Sequence, residues 1–165
     1  MASSARIGRW NNVQGNARLA SFALRMRILI LNGPNLDLLG TREPNIYGAR
    51  SFEDYLGDLK RAFPDVTITY HQSNVEGELV DRLRGSVADQ DGVVLNAAGY
   101  SHTSVALRDT IAVLSVPVVE VHISNIHGRE EFRRHTITGG ACAGVITGFG
   151  LEGYRLAVAH LLQRG

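Results

Sequence analysis

The 165 residues carry 17 basic against 16 acidic side chains, a net charge of +1, with 44% hydrophobic and 20% charged residues. That length and balance describe one soluble domain with a core of its own; they exclude a basic nucleic-acid binder, and no run nears the about 18 apolar residues of a membrane span. A lone cysteine, Cys142, excludes an internal disulfide framework and fits a reducing compartment such as the cytoplasm, while a lone lysine, Lys60, leaves a Schiff-base mechanism only one candidate nucleophile.

Residues 1–25 hold Arg6, Arg9, Arg18 and Arg25, no acid and no sustained apolar period. An Arg-rich, Ser-containing, acid-free start also matches an organelle transit segment, but the reading adopted is a flexible upstream extension of a domain spanning 26–165. The β-branched and leucine run Ile28, Leu29, Ile30, Leu31 is what a strand buried on both faces requires, and Asn32-Gly33-Pro34-Asn35 breaks it into turn chemistry. The loop that follows, about 15 residues before the next helix signal, is long for a compact domain unless it is a lid or binding loop. It carries Asn35, Arg42, Glu43 and Tyr47. An arginine beside a tyrosine lowers the phenol pKa from its usual value of about 10 and so makes a base.

Ser51 caps a helix whose Phe52, Leu56, Leu59 and Phe63 share one face, and Pro64 ends it. Residues 66–70 form the second strand. Ser73 with Glu76 reads as a capping box opening a helix with Leu79, Val80, Leu83 and Val87 inward. After the Asp91-Gly92 turn, 93–95 make a third strand ending at Asn96, and a third helix covers about 103–114. Pro117 precedes the strand 118–121, which ends at His122. The polar stretch 124–143 contains Arg129-Glu130-Glu131-Phe132-Arg133-Arg134, expected as one or two helical turns. Residues 144–148 are the fifth strand, and Leu151, Tyr154, Val158 and Leu161 mark the inner face of a last helix.

Strands alternating with helices predict a parallel five-stranded sheet with right-handed crossovers, a flavodoxin-like doubly wound α/β sandwich of three layers. In such a sheet ligands bind outside the carboxyl ends of the strands. Asn32 and Asn35, Asn96, His102 at the start of the third helix, His122 and Ser124 all fall on that edge. There is no GxxxxGK[ST], no GxGxxG after the first strand and no HExxH, so neither a phosphate loop nor a zinc site is expected. Cys142 reads as a small packing residue, and Arg129, Arg133 and Arg134 as a solvated face half neutralised by Glu130 and Glu131, from which one arginine can still reach the rim. Amides, imidazoles, hydroxyls and arginine suit a small hydroxylated anion and proton transfer without a cofactor. The rival reading is a flavodoxin-like binding or signalling module, which calls for an acidic cluster or a Ser/Thr-rich phosphate loop after the first strand. This chain has Asn-Gly-Pro-Asn there.

Four segments, ILNGPNLDLLGTREPNIYG, HQSNVEGELVD, LNAAGYSHTSVALRD and EVHISNIHGREEFRRH, together resemble type II 3-dehydroquinate dehydratase over about residues 26–163. The resemblance implies trans-dehydration of 3-dehydroquinate to 3-dehydroshikimate in the shikimate pathway or quinate catabolism. It also implies no metal or organic cofactor, and trimers assembled into a dodecamer. Tyr47 matches the base that takes the C2 proton, and Arg42 the cation that activates it and holds the enolate. His122 matches the acid that protonates the departing C1 hydroxyl, with Glu120 orienting it or purely structural. Asn35 matches an amide that positions a water against the enolate oxygen. Asn96, His102, Ile123, Ser124 and Arg133 match the substrate-binding set, and Asp109 a carboxylate that reaches a neighbouring subunit's site. Two departures are visible: Asp37 stands where the family more often has Asn or Gly, and 138–141 (TGGA) replaces a segment that usually contains Ser-Pro.

Overall fold

The structure, a computed structural model, describes residues 26–40 and 50–164. Its sheet consists of β1 (Arg27–Asn32), β2 (Thr67–Gln72), β3 (Gly92–Asn96), β4 (Val118–His122) and β5 (Gly144–Thr147), all parallel, in the order β2-β1-β3-β4-β5. The helices are α1 (Phe52–Ala62), α2 (Glu76–Asp89), α3 (Val105–Val113) and α4 (Glu152–Arg164). This is the expected flavodoxin-like order. Among the described residues no helix is long and apolar enough to cross a membrane.

Side chains alternate across a strand, so β1 feeds two cores at once. Ile28 and Ile30 pack with Phe52, Tyr55 and Leu59 of α1 and Tyr154, Val158 and Leu161 of α4. Leu29 and Leu31 pack with Leu79 and Leu83 of α2 and Leu107 and Ile111 of α3. Each such side chain contributes about 1.5–3 kcal/mol by leaving water, so a run apolar at every position gains on both faces of the sheet when it lies at its centre.

Several local expectations change in three dimensions. The Ser51 cap forms, its Oγ accepting from Asp54 N at 3.1 Å, but the buried face of α1 includes Tyr55 while Leu56 and Phe63 are only half-buried. The capping box at Ser73 does not form. Helix α2 starts two residues later than that box requires, Ser73 Oγ accepts from Val75 N at 2.9 Å, and its hydroxyl donates to Glu78 instead of pairing with Glu76. Val87 is 47% exposed, because the buried face of α2 runs through Leu79, Leu83 and Ser86, which turns position 87 outward. Helix α3 starts at Val105 behind a Ser104 cap, and the residues before it, Ala98–His102, form a 3-10 helix. The polar stretch after β4 coils into three 3-10 turns, Ile126–Gly128, Glu131–Arg133 and Gly139–Ala141.

The strand order reverses between β1 and β3, and at that point Asn32 lies in register with Asn96. Gly33 is obligatory there: its N donates to Asn96 O at 2.7 Å, and a Cβ would stand 2.6 Å from Ala97 O. Across the edge, Gly148 (φ 88°) turns the chain after β5 so closely beside Asn125 that a Cβ would meet it at 3.0 Å. These tight approaches bring the loops after β1, β3 and β4 around one opening.

Candidate active site

That opening is a cleft of about 370 Å³ lined by Asn35, Asn96, His102, His122, Ser124 and Arg133, with Leu36, Leu39 and Ile126 supplying apolar wall. The predicted residues on the strand edges therefore meet in space. Among the described residues the non-glycine positions with positive φ are Asn35 (64°) and Ala98 (53°), and both line the cleft. Left-handed backbone costs a non-glycine residue about 1–2 kcal/mol, and both are held by bonds. Asn35 N donates to Asn74 Oδ1 at 2.9 Å, and Ala98 N to Asn96 Oδ1 at 3.2 Å.

Under the cleft, β4 carries Glu120 and His122 on one face, two residues apart, and Glu120 Oε1 lies 2.7 Å from His122 Nε2. Glu120 is wholly buried and His122 nearly so. Burial pulls the Glu120 carboxyl up, but hydrogen bonds from His122, Thr136 and Thr138 outweigh it and hold the group below its ordinary value. An ionised acceptor at Nε2 fixes the proton there, which leaves Nδ1 as the ring nitrogen free for a ligand. The His122 ring stacks on His102 at 5.7 Å between centroids, and His102 Nδ1 is 2.7 Å from the His135 carbonyl. His102 sits at the end of the 3-10 helix and not at the start of α3, yet it still reaches the cleft because that helix lies over the carboxyl edge.

Arg129 and Arg133 both line the cleft, so the solvated-face reading fails for these two; Arg134 turns back, its Nε donating to the Arg129 carbonyl at 3.1 Å. Arg129 Nη1 donates to Ser124 Oγ at 3.0 Å, while Arg133 Nε lies 3.3 Å from Glu130 Oε2 without hydrogen-bond alignment. The Ile123 carbonyl accepts from Gly150 N at 2.9 Å and the Ser124 carbonyl from Thr147 Oγ1 at 3.0 Å, which pins the segment beside His122. Asp109 stands apart: it projects from α3, 63% exposed, paired with Arg108 at 2.8 Å. Arg42 and Tyr47 lie outside the described residues. Cys142 packs as expected, half-buried, its thiol pushed up to about 12 by burial and by Glu120.

The model of class II dehydroquinases matches residues 26–162. The chain belongs to this family. Among relatives of this dehydroquinase, a 3-dehydroquinate dehydratase of an Exiguobacterium species is 53% identical over 139 residues, covering 84% of this chain and 95% of the relative. One from Fusobacterium nucleatum is 50% identical over 144 residues, covering 84% and 97%. The crystal structure of type II dehydroquinase from Propionibacterium acnes superposes with a TM-score of 0.79 at 39% identity, covering 83% of this chain and 96% of that one. For a class II dehydroquinase the signalling-module alternative is not favoured.

Three site features of this dehydroquinase escaped sequence reading. Thr136 and Thr138, from the turn-rich loop, bond the Glu120 carboxylate. Tyr154, read only as the inner face of the last helix, bridges the strand ends: Asn96 Nδ2 donates to its oxygen at 2.8 Å, and its hydroxyl donates to Asn32 Oδ1 at 2.9 Å. Burial pushes the Tyr154 phenol far up, so it stays a neutral bridge. Helical periodicity cannot report a hydroxyl's partner. Tyr154→Phe should cost about 1–3 kcal/mol, since it strands two buried amide groups, and should raise KM more than it lowers kcat by freeing Asn96. Thermal melts and steady-state kinetics read both; a variant unchanged in each would mean the bridge is idle.

Proposed function

We propose that this chain dehydrates 3-dehydroquinate to 3-dehydroshikimate by anti elimination through an enolate, with Tyr47 as base and His122 as acid. The observation that carries the reading is the buried Glu120–His122 pair opening on a polar cleft at the switch point of the sheet. Tyr47, activated by Arg42, breaks the C2–H bond and its electrons pass to the C3 oxygen. Asn35 positions a water against that oxygen, where negative charge develops. Collapse of the enolate expels the C1 hydroxyl, which takes the Nδ1 proton of the doubly protonated His122 ring and leaves as water, while Nε2 keeps its own proton against Glu120. Asn96, His102, the Ile123-Ser124 segment and Arg133 hold the ring hydroxyls and carboxylate. No cofactor enters the reaction, and the compartment is the cytoplasm, in keeping with a lone thiol.

Asp109 is not among the described residues that line its own subunit's cleft, and its exposed position on α3 suits a carboxylate offered to a neighbour, in trimers that build a dodecamer. Lys60 is exposed in the last turn of α1; that helix follows a parallel strand and so begins at the carboxyl edge with Phe52, and Lys60 sits about eight residues further on, roughly 12 Å at 1.5 Å per residue. It is too far to form an imine with the substrate ketone.

Size-separated protein given 3-dehydroquinate should therefore generate the near-ultraviolet absorbance of a conjugated enone, in the trimer-containing fractions and not in free subunits. Borohydride added during turnover should leave both activity and Lys60 untouched. No enone would refute the activity, a reduced adduct on Lys60 the enolate route, and a fully active monomer the shared site.

A further inference from the structure

A carboxylate in the middle of a parallel strand, with no access to solvent, needs a donor for every oxygen it keeps ionised. Glu120 has them from two directions. His122 Nε2 and Thr136 Oγ1 reach Oε1 at 2.7 and 2.5 Å, and Thr138 Oγ1 donates to Oε2. The other group near Oε2 is the Cys142 thiol at 3.9 Å, a weak donor. Thr138 is itself wholly buried.

The two hydroxyls are held in place by backbone and not by the carboxylate alone. Ile137 N donates to Ser101 O at 2.8 Å, Gly139 N donates to Thr136 Oγ1 at 3.0 Å, and Ala141 N closes a turn on Thr138 O at 3.0 Å. With its oxygen accepting from Gly139, the Thr136 proton points to Glu120 at 2.5 Å in preference to Ser101 O at 3.4 Å. A Cβ on residue 139 would stand 2.6 Å from Thr136 Cγ2 and 2.8 Å from Val145 Cγ2, so the glycine lets the loop close over the strand.

We propose that Thr136 and Thr138 are positioning residues for proton transfer by His122, keeping Glu120 ionised and aimed at Nε2. The proposal rests on the assignment of His122 as the acid. Without the hydroxyls the carboxylate keeps one strong donor, the imidazole, and binds a proton at higher pH; Nε2 then loses its acceptor and the ring its orientation. The other titratable groups nearby do not replace the lost donors. Cys142 stays a thiol, His102 stacks on the far side of His122, and Arg129, Glu130 and Arg133 line the cleft above it.

The test is the pH profile of kcat for Thr138→Val, Thr136→Val and Thr138→Ser, with His122→Asn as control. Each valine should move the acid limb of the profile toward neutrality by about one unit, the scale of one hydrogen bond to a charged group, with KM changed less than twofold or so. Infrared difference spectra should reveal a protonated carboxyl in the valine variants at a pH where the parent has none, and serine should restore both readouts. If Thr138→Val does not fold, Thr136→Val carries the same measurement on the other oxygen. Parent-like profiles and spectra in the valine variants, beside an inactive His122→Asn, would overturn the positioning role alone. A fully active His122→Asn would overturn the acid assignment beneath it.

Discussion

His122→Asn should lower kcat by about 10²- to 10⁴-fold, the usual worth of a positioned general acid, with a much smaller change in KM. Thr136 and Thr138 still bond Glu120, so the buried carboxylate keeps partners and the fold survives, but nothing remains to protonate the departing hydroxyl. Single-turnover kinetics with 3-dehydroquinate measure the loss on the chemical step. A leaving group with a lower conjugate-acid pKa at C1 should recover part of the rate in the variant, because it departs without a proton. Parent-level turnover would remove His122 from the mechanism. The same pair sets a pH limit on the fold. Glu120 is held below its unfolded value in the native protein, so its ionisation adds stability above the ordinary carboxylate range, and that stability is lost as pH falls through the lower, folded value.

Tyr47→Phe should abolish most turnover, at least about 10²-fold, while substrate binding changes modestly, since the ring stays and only the ionisable oxygen goes. Arg42→Ala should act on the same step by letting the phenol return toward its usual value of about 10. The double variant should then be scarcely slower than Tyr47→Phe alone, because an arginine that serves only to ionise a tyrosine has nothing to act on once the hydroxyl is missing. Comparing kcat across the four proteins of this cycle decides it: losses that multiply would mean that Arg42 acts on its own.

Much of this molecule was readable along the chain. The uninterrupted apolar run of β1 demanded burial on both faces, which only a central parallel strand provides, and the alternation of periods around it led to one sheet order for this length. The strand ends then delivered Asn32, Asn96 and His122 to one edge by topology alone. Resemblance supplied the roles expected at that edge, while Arg42 and Tyr47, which the residues themselves suggested as a cation and a base, lie outside the described residues. Local signals were weaker. The Ser73 capping box gave way to a bond with Glu78, and the Val87 position was expected inward yet is exposed, because the face of α2 that is covered runs through Leu79, Leu83 and the polar Ser86, which hydropathy does not mark.

What the chain order could not supply was the identity of partners brought together by folding. Whether Glu120 served His122 or was merely structural stayed open until the geometry put them 2.7 Å apart. The hydroxyls on its other side come from a loop 16 and 18 residues later, and Tyr154 reaches Asn32 across 122 residues. Sequence patterns encode burial, which is periodic along one element. A hydrogen bond between elements depends on where two loops stop in space, and that is decided only when the sheet, its twist and its covering helices have packed.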